Sequence, residues 1–321
     1  LMIAYDGDKS FGIYIKKILR WIFYSLIAGG LAACLLLPEM YTFSLSASSS
    51  TSFPAKLTSY FSVMEMLVRQ LINVPVHLGL EHYPNIYCGV AVFLLIPLYI
   101  MNKKIKPAEK IGKCIILLVF LLAFNLNIPN FIWHGFHYPN SLPCRQSFIY
   151  IALVLTMCHQ ACLELKEISW KQVVWAFWGA VIFVIMAEKL VDNSEQFHFS
   201  VFYAAIIFLS LYMGLVYLYK RKHWNEDAVM MLTLLLVAVE TALNLGVSSL
   251  PTTSRTAYVK DNEDTIQLAG NIKSDTFYRV EKGDSKTKND GAWMNYPSAS
   301  LFSSVANASL SDFVRYLGCE S

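Results

Sequence analysis

Apolar residues run through this chain without a period of two, in long stretches separated by short clusters of lysine, arginine and other polar residues. Continuous apolarity bounded by charge predicts helices rather than half-buried strands. The pattern predicts about seven membrane-crossing helices, over residues 21–37, 86–101, 114–128, 148–163, 173–190, 201–219 and 228–247. Each approaches the roughly 20 residues that cross a hydrocarbon core of about 30 Å. Inside a bilayer no water bonds the backbone amides, so such spans satisfy themselves as helices.

Two regions break the pattern. The loop over residues 38–85 opens on a serine-rich low-complexity stretch at 44–52. Its second half, 60–72, repeats at helical period and places Ser62, Glu65, Arg69 and Asn73 on one stripe. That predicts a short helix, either lying in the outer interface or packed on the ends of the bundle, with Glu65 and Arg69 paired at i,i+4. Beyond Ser248 the composition turns to Thr, Ser, Asn, Asp and Lys. There Thr276–Val280 predicts a strand, Asn289-Asp290-Gly291 a turn, and Leu310–Leu317 a helix with Ser309 as N-cap, Asp312 at N3 and Gly318 as terminator. The expected organisation is a transmembrane helical domain over 1–250 and the start of an extracytoplasmic α+β domain over 251–321. Beginning at Leu1 and stopping at Ser321 just after a helix, the chain reads as an internal fragment of a longer protein.

Composition agrees with an integral membrane protein: of 321 residues, 55% are hydrophobic and 15% charged, with a mean hydropathy of +0.44. The net charge of +3 conceals an asymmetry between faces. Lys16, Lys17 and Arg20, then Lys103, Lys104, Lys106, Lys110 and Lys113, then Lys166 and Lys171, then Lys220, Arg221 and Lys222 fall on one side of the predicted stack. Only Lys56, Arg69, Arg145 and Lys189 fall on the other. The positive-inside rule then expects a cytoplasmic N-terminus, and an odd number of spans an outer C-terminal tail. Basic residues spread over short loops facing anionic lipid, with no accompanying motif, argue against a nucleic-acid partner. Seven cysteines at irregular spacing make no disulfide framework.

The segment from Phe131 to Phe148 concentrates the candidate chemistry. Pro139 and Pro143 stiffen it, and it carries His134, His137, Tyr138, Asn140 and Arg145 as candidate substrate-binding residues. Arg145 opens a predicted span, where its guanidinium either forks onto a phosphate or snorkels to lipid headgroups. His134 and His137 at i,i+3 lack a third ligand, so no metal or other cofactor is assigned, a divalent metal remaining an unsupported alternative. Glu240 lies inside the last predicted span, where a carboxylate is expensive and faces a bundle interior or a wet cavity. It reads either as a candidate catalytic group (general base, substrate-hydroxyl acceptor or proton-pathway residue) or as a structural Glu capped by Asn244 at i+4. Asn125 and Asn127 either line a polar cavity or link helices. Cys158 and Cys162 flank His159 and read as packing residues.

The chain resembles the YfhO-type bacterial membrane proteins. The likeness rests on His134-Gly-Phe-His-Tyr-Pro-Asn-Ser-Leu-Pro-Cys-Arg-Gln-Ser-Phe148, on Glu240-Thr-Ala-Leu-Asn244, and on Phe277-Tyr-Arg-Val280 followed by Asn289-Asp290 and Phe302-Ser-Ser304. Cys144 and Gln146 stand where that pattern has aromatic residues. The resemblance implies a GT-C-like membrane glycosyltransferase at the cell membrane. Such an enzyme takes a sugar from a polyprenyl-phosphate-linked donor and transfers it, outside the cytoplasm, to a cell-envelope polymer such as a teichoic acid. It also implies a catalytic acid in the first outer loop of the full-length protein, before the residues present here, which leaves the catalytic base of this chain unknown. A transporter or flippase of a lipid-linked sugar, and a non-catalytic envelope-assembly scaffold, are the alternatives. A flippase should show inverted repeats and several charges at mid-depth; the chain shows no repeat, and Glu240 is nearly alone.

Overall fold

The computed structural model describes residues 11–46, 52–77, 83–138, 144–191, 196–221, 224–248, 252–287, 289–299, 303 and 306–318. It is mainly helical and divides into two compact units, residues 1–9 with 53–250, and residues 10–52 with 251–321. Among the described residues there is no strand, only two isolated bridges.

The larger unit contains α2 (Val63–Val68), α3 (Val92–Met101), α4 (Pro107–Asn125), α5 (Asn127–Trp133), α6 (Ser147–Leu163), α7 (Trp170–Leu190), α8 (Phe199–Arg221) and α9 (Glu226–Ser248). The ten-residue α3 is its axis and packs against α6 and α7; α7 packs on α8, and α8 on α9. Small residues on the buried face of α7, Ala176, Ala180 and Ala187, let neighbouring backbones approach closely, which is how helices associate where no hydrophobic force separates helix from lipid. A second cluster gathers Ile86, Phe120, Phe124, Cys144 and Tyr150 between α4 and α6. In it the Phe124 and Tyr150 rings meet edge-on at 5.7 Å.

Among the described residues four helices are long and apolar enough to cross a membrane: residues Gly12–Ser44 of the first helix, then α7, α8 and α9. Four of the about seven expected spans have that length among the described residues, and the differences lie in the middle of the chain. Residues 86–91 are not helical, because Gly89 takes φ +102° and the Val90 amide is bonded across to Glu240. The ten residues left to α3 rise only about 15 Å, half a hydrocarbon core. The expected 114–128 helix starts earlier, at Pro107, and so includes Glu109, Lys110 and Lys113; it stops at Asn125, where Leu126 turns extended before α5. α6 is a 17-residue apolar helix.

The second half of the long loop packs on the bundle and does not extend as far as its period predicts. Ser62 caps α2 and Glu65 closes a capping box with it, but the helix ends at Val68. Leu71 and Ile72 are fully buried beyond it. Both members of the expected Glu65–Arg69 pair are engaged elsewhere: Glu65 accepts from the Ser62 amide. Arg69 is 3% exposed and donates to the carbonyls of Pro84 and Pro75 and to Asn85 Oδ1, at 2.8, 2.9 and 3.1 Å.

In the smaller unit α1 (Phe11–Ser44) groups with α10 (Arg255–Val259), α11 (Asn262–Gly270), α12 (Asp290–Met294) and α13 (Ala308–Tyr316). Leu45 at the end of α1 accepts from the Ala308 amide, and Ser46 bridges Asn307. The strand expected at 276–280 does not form. Val280 donates to the Pro297 carbonyl at 2.8 Å, and proline has no N–H to return the bond. The turn expected at Asn289-Asp290-Gly291 is the start of α12. A Cβ on Gly291 would meet that of Ser298 at 2.2 Å, so only glycine fits. The last predicted helix forms two residues early, with Asn307 rather than Ser309 as its cap, and ends at Gly318 in the left-handed region, φ +77°.

Candidate functional site

The first group of candidate residues gathers where α5 ends and α6 begins. α5 stops at His134, and Gly135 and Phe136 both take positive φ, 70° and 64°, turning the chain so that the Phe136 amide reaches back to Phe131 O at 2.9 Å. His134 is half-buried, with Nδ1 held by the Asn130 carbonyl at 2.8 Å. Tyr138 packs on the buried Phe131 ring at 5.0 Å. Arg145 is exposed just before α6, flanked by buried Cys144 and Gln146.

Electrostatics ties these residues together. Burial first, then His134 and Arg145, hold the His137 imidazole below its usual value, which favours its neutral form. Burial, then Tyr138 and Cys144, push the Tyr60 phenol up to about 12. Burial pushes the Cys144 thiol up to about 12, with Arg69 acting the other way. His137 thus lies near His134 and Arg145, while Tyr60 of the long loop lies near Tyr138 and Cys144, and Arg69 near Cys144. Asn140, Pro139 and Pro143 lie outside the described residues. Among the described residues no three His, Cys, Asp or Glu side chains converge as a metal site.

Asn125 and Asn127 hold the long loop rather than line a cavity. Asn125 Oδ1 accepts from the Phe61 amide at 3.2 Å. Asn127 accepts from the Thr58 amide at 2.9 Å and donates to the Lys56 carbonyl at 2.8 Å. Residues 56–61 are thereby strapped against the α4–α5 junction, with Ser59 bridging Leu126.

The second group centres on Glu240, 2% exposed in α9. Its Oε1 accepts from the Tyr87 hydroxyl at 2.7 Å and the Val90 amide at 2.6 Å; its Oε2 accepts from the Tyr212 hydroxyl at 2.5 Å. Three donors from two other segments thus fill a carboxylate that would otherwise be costly in an apolar interior. Asn244 does not cap Glu240. Its Oδ1 accepts from the Asn73 amide at 2.9 Å, where Asn73 takes φ 63°, and its Nδ2 reaches Ser248. One face of α9 is thus pinned to the long loop and to the chain before α3.

Sequence reasoning found Glu240 and missed its partners. Tyr87 and Tyr212 look like ordinary aromatics of apolar stretches, and an amide donor such as Val90 has no signature. The available signal was Gly89, a glycine in an apolar run that marks a backbone bend. Of the two cysteines expected to pack, Cys158 is buried in the core and Cys162 is exposed; all six described cysteines are free.

Comparison with curated proteins and with solved structures returned no match. The model of a family described as bacterial membrane protein YfhO matches residues 2–321, nearly the whole length, and the chain belongs to that family of bacterial membrane proteins.

Proposed function

We propose that the protein is a membrane glycosyltransferase, moving a sugar from a polyprenyl-phosphate carrier to an extracytoplasmic cell-envelope acceptor such as a teichoic acid. The observation that supports this reading is the exposed Arg145 just before the apolar helix α6, near enough to His137 to act on its charge. A planar guanidinium at headgroup level is matched to a phosphate ester, onto which it forks. Uncharged His137 can accept a hydrogen bond from a sugar or acceptor hydroxyl.

In this reading the acceptor oxygen bonds to the anomeric carbon as the bond from that carbon to the phosphate oxygen breaks. The electron pair stays on the departing polyprenyl phosphate, whose charge Arg145 offsets, and the hydroxyl proton passes to a general base. Glu240, its oxygens already filled by Tyr87, Val90 and Tyr212, acts by positioning the segment before α3 rather than by taking that proton. The cytoplasmic placement of the lysine-rich loops and the outer placement of residues 251–321 belong to the same proposal.

The test is transfer itself. Protein reconstituted in liposomes with a labelled polyprenyl-phosphate hexose and envelope polymer should yield labelled polymer, and Arg145→Ala should abolish the yield. Movement of the labelled lipid between leaflets with no glycosidic bond formed would replace this reading by a transporter.

A further inference from the structure

A groove of about 400 Å³ runs between Ile100 at the end of α3 and the face of α4 formed by Ile111, Cys114, Ile115 and Leu118. Its wall is apolar, and among the described residues lining it Lys110 alone carries a charge. Ile111, Ile115 and Leu118 follow one another at i, i+4 and i+7 and are 59%, 55% and 55% exposed. The stripe is therefore turned away from the protein core.

The mouth of this groove is positively charged beyond what the protein neutralises. Five lysines crowd the α3–α4 turn and the first turns of α4. Lys104 is paired with Glu164 at 3.0 Å and Glu167 at 3.6 Å, and Lys113 is buried against Glu109 at 2.7 Å. The Lys110 ammonium donates to the carbonyls of Ile100 and Asn102, which fixes it there, and among the described residues it forms no ion pair. Lys103 and Lys106 are exposed and, among the described residues, neither is ion-paired; Glu109, already bonded to Lys113, lies within electrostatic reach of Lys106. Lys106 is also the N-cap of α4 and makes no side-chain cap, so the positive end of the helix faces the same place.

The walls are preorganised. Glu109 and Lys113 both bond Gln160 of α6, and Lys113 lies 5.2 Å from the centre of the Tyr99 ring of α3. α3, α4 and α6 are thereby locked around the groove, and a ligand need not order them.

We propose that this groove binds one acidic phospholipid, its acyl chain along Ile111, Ile115 and Leu118 and its phosphate on Lys103, Lys106 and Lys110. A neutral lipid would use the stripe but leave the three cations uncompensated. A soluble anion would use the cations but leave the stripe bare. An anionic headgroup joined to an acyl chain uses both, and the site is independent of the sugar-transfer reading.

Native mass spectrometry of the purified chain in detergent, titrated with dioleoyl phosphatidylglycerol or dioleoyl phosphatidylcholine, tests this. The acidic lipid should be held several-fold more tightly. Lys103→Ala with Lys106→Ala should lower its affinity about 25-fold, from about fivefold per lysine, and leave the neutral lipid unchanged. Ile115→Trp, which fills the groove, should weaken both lipids, whereas Lys56→Ala with Lys189→Ala, basic residues beyond the far end of α4 and in the last turn of α7, should change neither. Equal binding of the two lipids, an equal loss in the remote double variant, or full lipid binding in Ile115→Trp would each overturn the proposal. So would a dimer that Ile115→Trp converts to monomer, since the groove would then belong to a second copy.

Discussion

Tyr87 and Glu240 stand 153 positions apart and share a 2.7 Å hydrogen bond inside the apolar bundle. The bond joins the non-helical segment before α3 to the last long helix of the larger unit. Because Oε1 also takes the Val90 amide and Oε2 the Tyr212 hydroxyl, removing the carboxylate strands several donors at once. Glu240→Ala should lower stability by about 3 kcal/mol or more, since each orphaned buried donor costs roughly 1–3 kcal/mol. Glu240→Gln should cost about 1–2 kcal/mol, because its amide turns a donor toward one former partner and only a hydroxyl can reverse its own bond. Thermal unfolding in detergent reads both; an unchanged midpoint in Glu240→Ala would show that the clamp does not hold the fold.

Gly89 should be nearly as sensitive although it carries no side chain. A Cβ there would lie 4.0 Å from Glu240 Oε1, an ordinary contact, so the cost comes from φ +102°. Gly89→Ala should destabilise by about 1–2 kcal/mol per the penalty for an L-residue in that region. It should also displace the Val90 amide. Combined with Glu240→Ala it should cost less than the sum of the two, which a double-mutant cycle in the same melting assay would measure.

For Arg145, geometry rather than charge is the expected determinant. Lysine keeps the charge and loses the fork, so Arg145→Lys should weaken donor use by about 1–3 kcal/mol, the range for a charge-assisted hydrogen bond. Arg145→Ala should lose more. Rates measured against donor concentration at equal membrane abundance separate the cases. Wild-type dependence in both variants would leave Arg145 as a headgroup anchor.

Orientation can be read from labelling. With native cysteines replaced, an impermeant thiol reagent on intact cells should modify a cysteine placed at Ser285 and spare one at Ile105, between the lysines of the α3–α4 turn. The opposite pattern would invert the chain and remove the outer site.

Asp290 should make the 286–290 turn acid-sensitive. Burial works against its charge, but the Thr287 hydroxyl and the Lys286 and Thr287 amides outweigh it and hold the carboxyl below its usual value. The Lys286 and Thr287 amides donate to it at 2.8 Å each. A folded value below the unfolded one contributes stability that is full above the unfolded value and lost as pH falls through the folded one. Protection of those two amides in hydrogen exchange should therefore decline only below about pH 4, and Asp290→Asn should show the reduced protection already at neutral pH.

The sequence by itself determined that this is a helical membrane protein. Long apolar runs, lysine-rich breaks between them and a polar stretch after Ser248 need no partner to be recognised, because helix formation in lipid is a local requirement of the backbone. The ends of α7, α8 and α9 came within a few residues for that reason, as did the capped start of α2 at Ser62, whose capping box lies within four residues. Tertiary structure decided what depended on distant partners. The apolar run at 86–101 became half a helix because Glu240 claimed the Val90 amide, and Arg69 left Glu65 for carbonyls of Pro75 and Pro84. Thr276–Val280 stayed out of a sheet because the backbone it meets belongs to a proline. In the candidate site the 134–145 residues were legible as a cluster through nearness in sequence, whereas Tyr60 and Arg69 entered it only through folding of the long loop. A hydrogen bond across 153 positions leaves no trace in local pattern, since its donor is a tyrosine that any apolar stretch tolerates.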